Sequence, residues 1–318
     1  MEESEFYDTI IVGSGPAAYT AALFLKDRKV LMLLGSLSLE IGPGGQLTTT
    51  TTVDNYPGFP KGTTGPEMMK TAKKQANDLG IEQINETVIG IKSKDNLFIV
   101  QTKKLSKLAR TVVIATGASA KKLVVPGSDT YWNKGISACA VCDGFFFRDK
   151  VCAVIGGGDT ALEETLYLSK ICKKVLLVHR RREFRARADN VEKARKIENV
   201  EFITPYHLEK CVGDNEKLNS IILVNNETGE KETIEVDGLF FAIGHVPNTS
   251  FLKGESTDFI NIRENGYVKT HHGVKCSRNG VFACGDVQDF EFRQAVTAAA
   301  SGCEAALEVA EFLRNENA

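Results

Sequence analysis

The chain has 318 residues, 42% of them hydrophobic and 25% charged, which suits two cores of ordinary domain size better than one. A formal net charge of −2 argues against a nucleic-acid surface, and apolar runs such as 30–34 and 239–243 fall far short of the roughly 20 residues of a membrane helix. The acidic start, Met1-Glu2-Glu3-Ser4-Glu5, lacks the basic and apolar regions of a secretion signal. A cytoplasmic location is therefore expected, with most of the eight cysteines as buried thiols.

The first element is a β-rich run over residues 7–12 that ends in Gly13-Ser14-Gly15-Pro16-Ala17-Ala18. An apolar helical stretch follows to about Leu25, and 30–34 reads as the next strand. Strand, glycine turn, helix and strand make a βαβ unit. Gly13, Gly15 and Ala18 fit G-x-G-x-x-A, where the first glycine makes the tight turn, the second admits a pyrophosphate and the third position packs helix on strand. The helix start then faces the anion. The following strand ends in Leu33-Leu34-Gly35, with no acid for a ribose, so the ribose must be held by other groups. Residues 112–117 read as a buried strand ending in a turn, with Pro126-Gly127 beyond it.

Ser137-Ala138-Cys139-Ala140-Val141-Cys142-Asp143-Gly144 holds two cysteines at a spacing that closes a small disulfide, and a helix start stabilises a thiolate. Asp143 is placed to move protons if burial raises its pKa, or it is a turn residue before Gly144. Zinc is the competing reading of Cys-x-x-Cys, but the sequence offers no second such pair, and His271-His272 are poorly spaced as ligands.

Residues 151–155 form a second strand-like run, followed by Gly156-Gly157-Gly158-Asp159-Thr160-Ala161, a helix to about Ser169 and a strand at 175–178. This repeats the first unit, again as G-x-G-x-x-A. The strand end is His179-Arg180-Arg181-Arg182, with Arg185 beyond. No carboxylate occupies the ribose position, and arginine forks suit a 2′-phosphate, so this site is expected to prefer NADPH. The alternative is a solvated basic patch. Residues 239–244 form another buried strand and turn, followed by Pro247. Near the C-terminus, residues 279–286 read as a strand ending in Gly285-Asp286, where Asp286 is either a polyol partner or a helix N-cap.

The expected fold is α/β, with two Rossmann-like three-layer nucleotide-binding domains, the second inserted into the first. Residues 1–117 and 248–318 would form one domain and 118–247 the other. A disulfide needs two electrons, a nicotinamide delivers a hydride, and a flavin commonly stands between them, so FAD fits the first turn.

Together these motifs resemble the low-molecular-weight thioredoxin reductases of bacteria, fungi, plants and protists, from about Asp8 to Leu313. The resemblance also rests on Gly44-Gly45-Gln46-Leu47-Thr48, Asn55-Tyr56-Pro57-Gly58, Ala115-Thr116-Gly117-Ala118, Ala242-Ile243-Gly244-His245 and Arg293-Gln294-Ala295. It implies FAD contacts from Gly13, Ser14, Gly15, Pro16, Ala17, Gly45, Gln46, Asn55, Val88, Ala115, Thr116, Gly117, Cys142, Gly285, Asp286, Arg293, Gln294 and Ala295. It implies NADPH contacts from Gly157, Gly158, Asp159, Thr160, His179, Arg180, Arg181, Arg185, Ile243 and Gly244, and no metal.

Cys142 would face the flavin, Cys139 would attack the partner's disulfide and Asp143 would handle protons. The resemblance implies a homodimer acting on thioredoxin or a thioredoxin-like protein, with the second domain rotating about its two crossings. Segment 35–43 varies in the family, and the last eight residues lack the cysteine pair of the larger thioredoxin reductases. The alternatives are a flavin dithiol oxidase, a flavin NADP reductase serving ferredoxin, and a non-catalytic nucleotide- or zinc-binding module.

Overall fold

Parallel strands covered on both faces are apolar at nearly every position, whereas strands with one wet face alternate. Both patterns occur here. The computed structural model describes residues 6–36, 42–50, 52–214 and 216–316. The chain divides into two compact units, Met1–Ser119 with Val246–Ala318, and Ala120–His245.

The first unit opens with β1 (Tyr7–Val12), α1 (Pro16–Phe24), β2 (Val30–Leu33), α2 (Gly65–Asp78), β3 (Glu82–Ile84), β4 (Val88–Lys94), β5 (Leu97–Thr102), β6 (Ser106–Ile114) and β7 (Ala118–Ala120). The second unit follows with β8 (Ile136–Ser137), α3 (Ala140–Asp143), β9 (Val151–Ile155), α4 (Asp159–Leu168), β10 (Lys174–Val178), α5 (Ala188–Arg195), β11 (Val200–Ile203), β12 (Tyr206–Gly213), β13 (Leu218–Asn225), β14 (Lys231–Glu235), β15 (Gly238–Phe241) and β16 (His245–Pro247). The chain then returns to the first unit with β17 (Val281–Ala283) and α6 (Ala295–Glu316). The two crossings, β7 and β16, pair as a two-stranded ribbon.

In the first unit the sheet order is β3-β2-β1-β6-β5-β4, with β17 also paired to β6. β1 is parallel to β2 and β6, and β17 is parallel to the C-terminal half of β6. β5 runs antiparallel along the N-terminal half of β6. β2 is buried throughout and β5 alternates, as their positions require. The strand order reverses between β1 and β6, which creates a crevice at their carboxyl ends.

α1 is apolar around its whole circumference because its surroundings are protein on more than one side. Ala17, Ala18, Ala21 and Ala22 pack with Ala298, Ala305 and Ala306 of α6 in one core cluster. A methyl group added to Gly302 of α6 would stand 2.2 Å from the Ala17 carbonyl oxygen, so the two helices are close-packed through small residues. α2 starts with a capping box in which Thr64 accepts from the Glu67 N–H and the Glu67 carboxylate accepts from the Thr64 N–H.

In the second unit the order is β11-β10-β9-β15-β8, all parallel. Its order reverses between β9 and β15. A separate antiparallel sheet, β12-β13-β14, completes the unit. Because all five strands run one way, the turns after β8, β9, β10 and β15 gather at a single sheet edge. That edge carries the Cys-x-x-Cys stretch, the second glycine turn, the arginine run and Ile243-Gly244.

Candidate functional site

The first turn is fixed by sterics. Gly13 has φ +127°, and a Cβ there would lie 2.2 Å from the Ala115 carbonyl oxygen at the end of β6. Glycine alone satisfies both constraints. Gly15 caps α1, Pro16 sits where a missing N–H costs nothing, and no atom lies within 4 Å of the place a Gly15 Cβ would take. The turn is thus tight beneath and open above the helix start. Gly45, at φ +69°, lies against Gly15, with its added Cβ 3.8 Å from the Gly15 Cα.

Ser14 ties these pieces together. Its Oγ donates to the Leu34 carbonyl at 2.8 Å and accepts from the Gly44 N–H at 2.9 Å. Where the sequence lacks a strand-end acid, Leu34 instead donates its N–H to the Ile84 carbonyl, and Gly35 donates to the Glu86 carbonyl. Ser36 donates its N–H to Thr87 Oγ1 at 2.9 Å, beside buried Val88 at the start of β4. Residues 37–41 of the variable segment lie outside the described residues.

Gly285 has φ +71°, its Cβ would stand 2.9 Å from the Ala17 Cβ, and its N–H donates to Ser301 Oγ at 2.8 Å. This holds Asp286 by the start of α1. Burial first, and then Asp289, push the Asp286 carboxyl up to about 7, against the pull of Arg293. Asp286 sits in a short 3-10 turn capped by Cys284, so it is not the helix N-cap that the sequence left as an alternative.

Asn55 donates its side-chain N–H to Gln294 Oε1 at 3.2 Å, which joins two predicted residues 239 positions apart. Arg293 takes φ +49° where the chain turns into α6 at Ala295. Gln46 belongs to a 3-10 turn over Gly45–Thr49. Gly117, at φ +67°, accepts the Asn248 N–H, and Thr116 Oγ1 donates to the Asn248 carbonyl. The donor set fits a dinucleotide diphosphate, with a helix start, an open glycine and no competing carboxylate on the turn itself.

The second turn has different neighbours. A Gly156 Cβ would meet the Ala242 carbonyl oxygen at 2.4 Å and the Ala161 Cβ at 2.7 Å, and a Gly157 Cβ would meet the His179 ring at 2.3 Å. Gly158, at the N-cap of α4, has open space above it. The Gly157 carbonyl accepts the N–H groups of Arg185 and Ala186 at 2.8 and 3.2 Å, which draws the basic loop onto the turn. Asp159 Oδ1, next to Thr160 in the first turn of α4, accepts the Arg187 N–H at 2.8 Å.

Arg180, Arg181 and Arg185 are exposed. Arg182 is occupied elsewhere, in a two-point ion pair with Glu227 at 2.8 and 2.5 Å. Burial holds His179 below its ordinary pKa; the Glu183 carbonyl opposes this, and the neighbouring arginines reinforce it. Gly244 follows Ile243 with φ +95°, and its carbonyl accepts the Lys121 N–H. A His179 held toward its neutral form and three exposed guanidinium groups, uncommitted among the described residues, fit a phosphorylated ribose at this strand end.

At the end of β8, Cys139 and Cys142 form a disulfide with Cα atoms 5.3 Å apart. Cys139 is the N-cap of α3, and its Sγ accepts the Cys142 N–H at 3.2 Å. Ser137 Oγ accepts the Cys139 N–H at 3.0 Å and donates to Asp143 Oδ2 at 2.5 Å. Burial raises the Asp143 pKa above the usual carboxylate range, and the Ser137 hydrogen bond opposes that rise. Val141, Phe145 and Phe146 are exposed around the pair. Among the described residues no group of three or more His, Cys, Asp or Glu side chains converges as a metal site.

Sequence reasoning missed Ser137, Ser301 and Gly302. Ser137 had a usable signal, a hydroxyl two residues before the first cysteine. The other two act across α1 and α6, and nothing local announces them. Nor did sequence reasoning pair Cys152 with Cys172, whose sulfurs the structure brings to 3.6 Å.

A profile of the pyridine nucleotide-disulphide oxidoreductase family matches residues 7–302. The chain belongs to this family. It is 44% identical over 316 residues to a thioredoxin reductase of Yarrowia lipolytica, covering 96% of this chain and 98% of that one. A thioredoxin reductase of Chlamydia trachomatis is 43% identical over 311 residues, with coverage of 96% and 98%. Among solved structures, a thioredoxin reductase from Giardia duodenalis superposes with a TM-score of 0.90 at 36% identity, covering 98% of this chain and 99% of that one. These family members share the two-domain nucleotide-binding fold expected from the sequence. No helix among the described residues is long and apolar enough to cross a membrane.

Proposed function

We propose that this chain is an NADPH-dependent thioredoxin reductase, a flavoprotein that reduces the disulfide of thioredoxin or a thioredoxin-like protein. One observation carries the reading. The Cys139–Cys142 disulfide stands at the same carboxyl edge of one parallel sheet as the second glycine turn and the arginine run. The full-length relatives named thioredoxin reductase support it.

FAD and NADPH are the cofactors. The first unit holds FAD through Gly13–Ala17, Gly45, Gln46, Asn55, Asp286 and the Arg293–Ala295 turn. The second unit holds NADPH on Gly157–Thr160, with Arg180, Arg181 and Arg185 on its 2′-phosphate. When bound, the flavin supplies the two-electron relay between a nicotinamide and a disulfide.

The protein's own thiols do the rest. The Cys139 thiolate attacks a sulfur of the partner's disulfide, and Cys142 resolves the mixed disulfide that results. Asp143, kept protonated to higher pH by burial and steadied by Ser137, exchanges the proton that accompanies thiol release. Rotation of the second unit about its two crossings is part of the reading, as are a homodimer and a cytoplasmic location.

The test is a visible spectrum of the purified protein. Anaerobic NADPH should bleach a yellow flavin band, and oxidised thioredoxin should restore it. A flavin that NADPH leaves coloured would refute the reading and favour the dithiol oxidase.

A further inference from the structure

Cys152 is the second residue of β9, opposite Val175 on one neighbour and Gly238 on the other, and is fully buried. Cys172 follows α4 and is 6% exposed. Their sulfurs are 3.6 Å apart. The Cys172 loop is braced, because its N–H donates to the Leu168 carbonyl and its carbonyl accepts the Asn199 side chain at 3.0 Å. Neither thiol takes part in the chemistry described above.

We propose that Cys152 and Cys172 are a second dithiol of this protein, one that a hydroperoxide closes to an internal disulfide. A disulfide needs sulfurs about 2.05 Å apart, so they must approach by roughly 1.6 Å, within the reach of side-chain rotation about χ1.

The two sulfurs are not equivalent. Cys152 is 0% exposed, whereas Cys172 is 6% exposed. Cys172 is thus the sulfur nearer the surface. It is therefore the attacking thiolate. Its sulfur bonds to one peroxide oxygen as the O–O bond breaks, which gives a sulfenic acid and, after protonation, water or an alcohol. The Cys152 sulfur then attacks the Cys172 sulfur, the S–O bond breaks, and water leaves with the Cys152 proton. Two thiols lose two electrons, and one hydroperoxide gains them.

The location gives the bond a consequence. Cys152 and Cys172 share one apolar cluster with Ala140 of the redox helix, and Phe147, just after that helix, packs against it. A Cβ added to Gly238 would touch both the Phe147 ring and Cys152 Sγ. The second disulfide would thus staple β9 to the end of α4 directly beneath the Cys139–Cys142 element.

The first test uses the protein as it stands. The protein with Cys139–Cys142 oxidised has six free cysteines. It is exposed to one equivalent of hydrogen peroxide, quenched with maleimide in acid, denatured and digested with trypsin. Cleavage after Lys150, Lys170 and Lys173 puts Cys152 and Cys172 on separate peptides. The expected result is a fall from six to four titratable thiols, with the two peptides recovered as one cross-linked species that dithiothreitol separates. Thiol loss without that species, or peroxide modification confined to Cys303, would overturn the proposal. In Cys172→Ser the cross-link should vanish. A disulfide from Cys152 to any other cysteine in that variant would equally count against the pairing.

Discussion

Gly13 and Gly156 open equivalent turns, and in each a methyl group would strike the carbonyl at the end of the strand across the reversal, Ala115 in one unit and Ala242 in the other. The next positions differ. At the first turn, Ser14 reaches out to Leu34 and Gly44, and the distant Gly285 closes against Ala17. At the second, Gly157 faces the His179 ring and pulls an arginine loop inward through its carbonyl. The shared steric core makes both into tight glycine turns; on the proposed reading, the surrounding polar groups decide which dinucleotide each holds. The first is built from backbone and hydroxyls, the second from guanidinium groups.

The sharpest way to separate the units is through the disulfide, which only one of them carries. Cys142→Ser should leave NADPH able to bleach the flavin while thioredoxin turnover falls to background; turnover at the wild-type rate would break the assignment. A smaller effect is expected within the first turn. Gly13→Ala meets both a left-handed backbone and a carbonyl, and should cost about 3 kcal/mol or more along with bound flavin. Gly15→Ala should stay within about 1 kcal/mol of wild type in thermal unfolding yet lose flavin affinity, because its methyl enters open space above the helix start. Equal destabilisation by the two changes would contradict this account of the turn.

In the second turn, replacing Arg180 and Arg181 with Ala should raise the KM for NADPH roughly tenfold to a hundredfold and leave that for NADH nearly unchanged. Arg182→Ala, which breaks only the surface pair with Glu227, should change neither. Parallel losses for both nucleotides would show that the basic loop is not reading the phosphate. The smallest effect concerns Asp143. Its folded-state pKa is raised, so its contribution to stability is complete below the ordinary aspartate range and declines as pH rises through the raised value. Asp143→Asn should flatten that part of the profile of unfolding temperature against pH; an unaltered slope would place the titration elsewhere.

Much of this was legible from the chain because β1, β2, β9 and β15 are short apolar runs with a glycine at or near one end, and β10 is a short apolar run ended by a basic stretch; such runs read clearly. The strand ends carried the expected cofactor distinction, which the arginine substitutions above test. What was not legible depended on distance along the chain. Asn55 and Gln294 meet only after the sheet has formed, and Cys152 meets Cys172 only once α4 lies over β9. The hairpin of β4 and β5 and the three-stranded β12-β13-β14 sheet went unread, since their half-exposed alternating residues resemble polar loops. The missing strand-end acid at Leu34 was visible, but the backbone bonds that Leu34 and Gly35 make there to Ile84 and Glu86 were not.

The first unit is assembled from both ends of the chain, and this bears on how the protein is made. A ribosome emits Ala120–His245 as one uninterrupted stretch, so the second unit has its whole sequence available while the first still waits. Until Val281–Ala283 emerges, the C-terminal half of β6 has one flank bare, and until α6 emerges Gly285 lacks its Ser301 partner and Ala17 its contact with Gly302. At roughly 5–20 residues per second that wait lasts seconds, long enough for an exposed edge to need shielding. The first dinucleotide cradle is therefore completed only after the whole second unit has been made, although its glycine turn precedes that unit.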